Sequence, residues 1–311
     1  MIETGHIGAL DKSDEVSGEA ETHTEIGVDF RHEPTPLFDL GQINVDWEES
    51  TGTLWAFLTP TDRPNCNMGL LKDSITWQTE SKRIFGHPGS PLKYMVLGSR
   101  FPGIFNLGGD LEMFADCIER RDREALVHYG GICIEFVHHV WHNNNMPIIN
   151  IALAQGDALG GGFEAMLTFD VIIAERQARF GLPEILFGLF PGMGAYSLLA
   201  RKLGRAMAEK VILGGKVYTA QEMYDMGIVN FLVDEGEGEQ AVRDYIRDTT
   251  DRHAGYCGIY RAGRQVDPLH IEELTEIVEN WADTALKLTP KDLKLMRRLA
   301  AAQARLHLQS R

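Results

Sequence analysis

The chain has 311 residues and 34.8 kDa, with 44% hydrophobic and 24% charged residues. That balance excludes a mostly disordered, collagen-like or coiled-coil chain, and the length allows one large core without disulfides. Lys and Arg number 30 against 45 Asp and Glu, a formal net charge of −15, which is the wrong sign for general nucleic-acid binding. No apolar run approaches the roughly 20 residues of a membrane span. The N-terminus has neither a basic n-region nor an apolar h-region, so a cytoplasmic protein is expected.

In chain order, residues 1–40 read as an appendage. Residues 1–25 are rich in Glu, Asp, Ser, Thr and Gly, with Lys12 as the only Lys or Arg. So polar a stretch has little to bury and is expected to be mobile. From Ile43 the pattern changes. Strands are expected over residues 44–46 and 53–58, joined by the hairpin turn Glu48-Glu49-Ser50-Thr51-Gly52. Residues 69–84, 111–120 and 122–141 read as helices. Between them, residues 94–97, 148–154 and 171–174 are short apolar or β-branched runs bounded by turn residues, the mark of buried strands. This alternation predicts an α/β core with at least partly parallel pairing. After Gly194 the chain reads mainly helical, and Thr219-Ala220-Gln221-Glu222 marks a helix start with an acidic first turn.

Three segments carry chemistry. In Phe105-Asn106-Leu107-Gly108-Gly109-Asp110-Leu111, two glycines precede an Asp able to cap the next helix. Backbone N–H groups at such an entrance are free donors, and glycine lets a ligand come close. In Gln155-Gly156-Asp157-Ala158-Leu159-Gly160-Gly161-Gly162-Phe163-Glu164, a strand runs into a triple glycine and a helix with Glu164 in its first turn. The third segment, residues 181–194, is a loop punctuated by Pro and Gly that holds Glu184. Two backbone N–H groups, one from each glycine turn, could form an oxyanion hole for a thioester carbonyl. Glu164 and Glu184 could divide acid and base roles if the fold brings them together. The neighbours Leu159, Phe163, Ile185 and Phe187 would raise a carboxyl pKa by desolvation. Sequence spacing alone does not show that the glutamates meet.

Other features read plainly. Cys66, Cys117, Cys133 and Cys257 are widely spread, without the paired spacing of a zinc ribbon or disulfide scaffold, and are expected as reduced, mostly buried thiols. His138, His139 and His142 fall at helical spacing. No glutamate takes the zincin position, so they read as a solvated helix face and no metal site is expected. The absence of a G-x-S-x-G elbow disfavours a serine hydrolase.

On these residues the chain resembles the crotonase (enoyl-CoA hydratase/isomerase) superfamily over residues 43–286. Phe105–Asp110 is similar to its F-x-x-G-x-D segment and Ala158–Glu164 to A-x-G-G-G-x-E. The resemblance implies an α/β crotonase (ClpP/crotonase-like) fold, a twisted β/α spiral core over residues 41–215 followed by a helical region over 216–311. It also implies oxyanion N–H groups from Gly109 and Gly161, Glu164 and Glu184 as the catalytic pair, and a homo-oligomer, trimer or hexamer. No metal, nucleotide or redox cofactor is implied. Residues 214–233 resemble a further family segment, with Gly215 in place of its usual polar residue and Tyr224 in place of its small one.

A narrower resemblance, carried by residues 106–111, 158–164 and 187–197 (FGLFPGMGAYS), is to the diffusible signal factor synthases. Hydratases typically carry P-G-A-G-G-T-Q-R-L where this chain has Pro191-Gly192-Met193-Gly194-Ala195-Tyr196-Ser197-Leu198-Leu199. The resemblance implies dehydration of a 3-hydroxyacyl group on acyl carrier protein to the cis-2-enoyl thioester, then hydrolysis to a free fatty-acid signal. Substrate contacts are implied for Leu159, Gly160, Leu199 and Trp281. A CoA-dependent enoyl hydratase is the alternative enzyme; a silent interaction protein is disfavoured because both glutamates and both glycine turns are intact. Finally, residues 287–311 hold seven Lys or Arg against Asp292 alone. This basic stretch is either a solvated face or a docking surface for an acidic carrier protein.

Overall fold

A computed structural model describes residues 35–61 and 63–309, with side chains described for residues 40–61 and 63–305. The expected mobility of residues 1–25, and most of the 1–40 extension, lie outside the described residues. The chain opens with strands β1 (Thr35–Asp39), β2 (Ile43–Glu48) and β3 (Thr53–Leu58), then helix α1 (Met68–Phe85), β4 (Tyr94–Ser99) and β5 (Ile104–Asn106). Helices α2 (Leu111–Glu119) and α3 (Arg123–Trp141) follow, then β6 (Ile149–Ala154), β7 (Asp157–Leu159), α4 (Gly161–Met166), β8 (Val171–Glu175) and β9 (Arg179–Gly181). A 3-10 turn, Pro183–Phe187, leads to α5 (Ala195–Leu203), α6 (Arg205–Gly214), β10 (Val217–Thr219), α7 (Ala220–Asp225) and β11 (Phe231–Val233). The chain ends in α8 (Gly238–Thr249), α9 (His253–Val266), α10 (Ile271–Ala285) and α11 (Pro290–Gln309).

The seven-stranded main sheet has the order β1-β2-β3-β4-β6-β8-β11. Its first three strands pair antiparallel, and from β3 onward every pair is parallel. Parallel strands are covered on both faces, which is why β3, β4 and β6 are apolar without alternation and buried throughout. Leu54, Ala56 and Leu58 of β3 face the larger core, which α1, α3 and α10 also build. Trp55 and Phe57 face a smaller core closed by Val242, Tyr245 and Ile246 of α8. The helices begin where their sequence provides caps: the Asn67, Asp110 and Asp122 side chains accept from N–H groups of the first turns of α1, α2 and α3.

Three details depart from the sequence reading. β1 lies within the stretch assigned to the appendage. The stretch from residue 216 on, expected as helical, also supplies β10 and β11, which pair with β9 and β8. A second sheet, β10-β9-β7-β5, was not foreseen at all, and it positions the site.

Candidate active site

Strands β5, β7 and β9 are only three residues long, and they lie side by side and parallel. Because they are parallel, the segments that leave them emerge at the same end of the sheet. β5 delivers the Leu107-Gly108-Gly109 turn, β7 delivers Gly160 and the α4 start, and β9 delivers the turn with Glu184. One further rung, from Gly160 N to the Gly181 carbonyl at 2.8 Å, holds the second and third exits together. Two glutamates 20 residues apart in sequence thus come to line one cavity with Gly109 and Gly161.

The glycine turns touch. A Cβ on Gly161 would lie 3.5 Å from Gly108 Cα and 3.6 Å from Gly109 N. Gly108 has φ +86°, in the left-handed region that side chains avoid, and a Cβ there would stand 2.7 Å from Gly161 N. Asn106, buried at the end of β5, shapes this turn: its Oδ1 accepts from Gly108 N at 2.8 Å and from the Cys66 thiol at 3.3 Å. Tyr129 of α3 donates to the Cys66 carbonyl at 2.6 Å, and Cys66 N donates to the Gly108 carbonyl at 2.8 Å. Among the described residues neither the Gly109 N–H nor the Gly161 N–H meets an acceptor. Both line the cavity as adjacent free donors.

The two carboxyls differ in their surroundings. Glu164 is buried, and its Oε1 accepts from Met193 N at 2.9 Å and from Ala195 N at 3.0 Å. Burial raises its pKa, and those two N–H groups oppose the rise by stabilising the carboxylate. Glu184 has a buried Oε2 with no hydrogen-bond partner. Burial raises its pKa first, and the charge of Glu164 raises it further. Both carboxyls are thus pushed above the ordinary carboxylate range, Glu164 by burial against its two backbone donors and Glu184 by burial and the charge of Glu164.

The rest of the cavity is mainly apolar. Phe114, Phe136, Val137, Leu189, Met193 and Trp281 line it. Trp281, on α10, is buried edge-on to Phe114 with ring centroids 5.0 Å apart. A Cβ on Gly192 would reach 2.4 Å from the indole, so only glycine lets the residue 191–193 loop lie against it. Leu159, Gly160 and Leu199 do not line this cavity. Leu199 is fully buried in the core, while a Cβ on Gly160 would meet Glu184 Oε1 at 2.6 Å. Gly160 thus gives the carboxyl room.

The sequence reading missed Asn106 as the shaper of the Leu107-Gly108-Gly109 turn, and it missed the Met193 and Ala195 N–H groups. The only sequence signal for the latter was the Pro191–Gly194 break, which frees backbone donors. It also missed Cys66 and Cys133 in the cavity wall. Burial pushes the Cys66 thiol up to about 12 and Cys133 well above its ordinary value, so both are neutral thiols. All four cysteines are free, Cys117 and Cys133 buried, as expected. The three histidines are corrected: His138, His139 and His142 are half-buried, not solvated. Burial is the main cause that lowers His138 to about 4, and His142 Nε2 lies 3.0 Å from the Leu269 carbonyl. Among the described residues no group of His, Cys, Asp or Glu is arranged to hold a metal. No helix among them is long and apolar enough to cross a membrane.

This architecture, a mixed sheet whose short companion sheet sets two glycine turns beside an apolar cavity, is the crotonase fold. The chain belongs to the enoyl-CoA hydratase/isomerase family, whose model matches residues 90–253. A probable enoyl-CoA hydratase of Rhizobium meliloti is 36% identical over 134 residues, 43% of this chain and 52% of that protein. An enoyl-CoA hydratase/isomerase of Xanthobacter autotrophicus Py2 shares the fold with a TM-score of 0.69 at 20% identity, covering 86% of this chain and 96% of that one. DspI of Pseudomonas aeruginosa does so with a TM-score of 0.63 at 24% identity, covering 81% of this chain and 98% of its own. The chain spans about a third to a half of the length of the curated relatives it matches.

Proposed function

We propose that this chain is a dehydratase and thioesterase of the diffusible signal factor synthase type, acting on a 3-hydroxyacyl thioester carried by acyl carrier protein. One observation supports it most: buried Glu164, held by two backbone donors, and half-buried Glu184, with an unpartnered buried oxygen, line one cavity beside two free backbone N–H groups. In dehydration, a base removes the C2 proton while an acid protonates the departing hydroxyl, and water leaves. The resting pair offers one group of each kind, Glu164 as carboxylate and Glu184 as acid. Charge that develops on the thioester oxygen is met by the Gly109 and Gly161 N–H groups. In hydrolysis the same N–H groups stabilise the tetrahedral oxyanion while a glutamate carboxylate takes a proton from the attacking water. The carrier thiol then leaves with a proton, and free acid remains. Cys66 and Cys133, held neutral, are poor competitors as nucleophiles for the same carbonyl.

A second reading, reversible hydration and dehydration of an enoyl-CoA without hydrolysis, is favoured by the family match. The two are separated by incubating the chain with a 3-hydroxyacyl group loaded on acyl carrier protein and, in parallel, on CoA, followed by mass spectrometry. Free 2-enoic acid from the carrier-linked substrate supports the synthase. Enoyl thioester without free acid, formed best from CoA, replaces it with the hydratase. Turnover of neither substrate overturns both.

A further inference from the structure

Away from the glutamates, a second cavity of about 320 Å³ opens beside the C-terminal ends of α3 and α5 and the later turns of α9. Since a water occupies about 30 Å³ of liquid, the space takes a small ion and several waters, or a short organic acid. Its wall carries three cations, Arg201, Lys202 and Arg264. Two of them are answered. Arg264 pairs with Asp170, a buried carboxylate that also accepts from Asn143 Nδ2 at 2.8 Å and Asn150 N at 3.1 Å. Arg201 forks onto Glu273 at 2.9 and 2.8 Å.

Lys202 is different. No carboxylate stands within ion-pair distance of it among the described residues, and its ammonium reaches only the Phe169 carbonyl, at 3.4 Å. Burial lowers its pKa, and Asp170, beyond ion-pair distance, opposes that shift. One further donor on the same wall, Trp141 Nε1, is buried without a hydrogen-bond partner, whereas Arg201 Nε has Asp267 at 3.5 Å. The unmet polar groups here are two donors, one of them a cation with no ion-pair partner, and such groups are costly unless something accepts from them.

We propose that this cavity is a binding site for a small oxyanion, a carboxylate or phosphate group, with Lys202 as its charge partner and the Trp141 N–H as its orienting donor. Phe169 and Ile259 on the same wall leave an apolar side for a short organic tail. The site is separate from the acyl cavity, yet it shares an element with it. Lys202 is in the last turn of α5, and Ala195, whose N–H holds Glu164, is that helix's first residue.

The test is isothermal titration of the full chain, at fixed ionic strength, with sodium phosphate, sodium propionate and sodium chloride. Saturable binding of phosphate or propionate with no chloride response is expected, and the anion that binds identifies the head group. Lys202→Met keeps the side-chain volume and should weaken that binding about 10-fold or more, the scale of a lost charged hydrogen bond. Trp141→Phe keeps the ring, removes only its N–H, and should weaken it several-fold, which tests the site even if Lys202→Met folds poorly. Unchanged affinity in both variants, or no saturable binding of either anion, overturns the proposal.

Discussion

At the residue scale, two chemically identical side chains in the cavity stand in different surroundings. Glu164 is anchored by two backbone donors, while the buried Glu184 oxygen has none. Glu164→Gln and Glu184→Gln should each lower dehydration at least about 100-fold, the scale of a lost acid or base. Near-normal rates in either variant would refute the paired mechanism. The same carboxyls shape stability against pH. Both have raised folded-state pKa values, so their stabilising contribution is complete below about pH 4.3, the unfolded value, and is lost as pH rises through the folded values. Glu184→Gln should therefore be more stable than the parent at pH 8 by at least about 1 kcal/mol, with the gap closing near pH 4. Urea denaturation across that range reads it, and a gap independent of pH contradicts the raised pKa. The glycines are separable too. Gly161→Ala places a methyl at ordinary contact distance, 3.5 Å from its nearest neighbour, so the fold should persist. The methyl stands where a thioester would approach, and both dehydration and hydrolysis should fall together. Loss of only one activity would mean that the reactions use separate sites.

At the element scale, legibility followed length. The helices α1, α2 and α3 and the strands β4, β6 and β8 matched their sequence patterns within a few residues, because each is long enough to show a period or an unbroken apolar run. β5, β7, β9 and β10 have three residues each, too few to show any period, so the second sheet was hidden. The motifs named the residues that line the cavity, Gly109, Gly161, Glu164 and Glu184. Their meeting depended on the parallel pairing of β5, β7 and β9, which joins segments distant in sequence and leaves no local mark. The apolar cavity wall had the same problem: nothing in the spacing of α10 says that Trp281 packs on Phe114 of α2, nearly 170 positions earlier. Trp281→Ala opens that wall. It should cost about 3–5 kcal/mol in stability, as large-to-small core changes do, and shift the preferred acyl length upward, since each buried methylene is worth about 0.8 kcal/mol. Product profiling with a ladder of acyl lengths checks it, and an unchanged profile would take Trp281 out of the substrate wall.

At the scale of the whole molecule, the charge is uneven: the chain carries −15 overall, yet α11 is basic. One of its cations is already engaged, because Arg297 reaches Asp116 and Glu119 of α2 at 2.8 Å each. Lys291, Lys294 and Arg298 are exposed and form no ion pair among the described residues. The helix runs beside both site turns. Gln303 donates to the Leu107 carbonyl at 3.3 Å, and a Cβ on Gly188 would meet Leu288 at 3.2 Å and Asp292 at 3.6 Å. A positive surface next to the site would attract an acidic carrier protein and raise its association rate, an effect that salt weakens. Reversing Lys291, Lys294 and Arg298 to Glu while keeping Arg297 leaves the tie to α2 in place. Turnover of carrier-linked substrate should then fall more than turnover of the CoA thioester. The difference should shrink at high salt, because exposed charges are screened beyond about 8 Å at physiological ionic strength. Steady-state rates on both substrates at two salt concentrations measure it. Equal slowing of the two, with the circular dichroism spectrum unchanged, would assign the helix to the phosphates of CoA as much as to a protein. No slowing of either would leave it a solvated face.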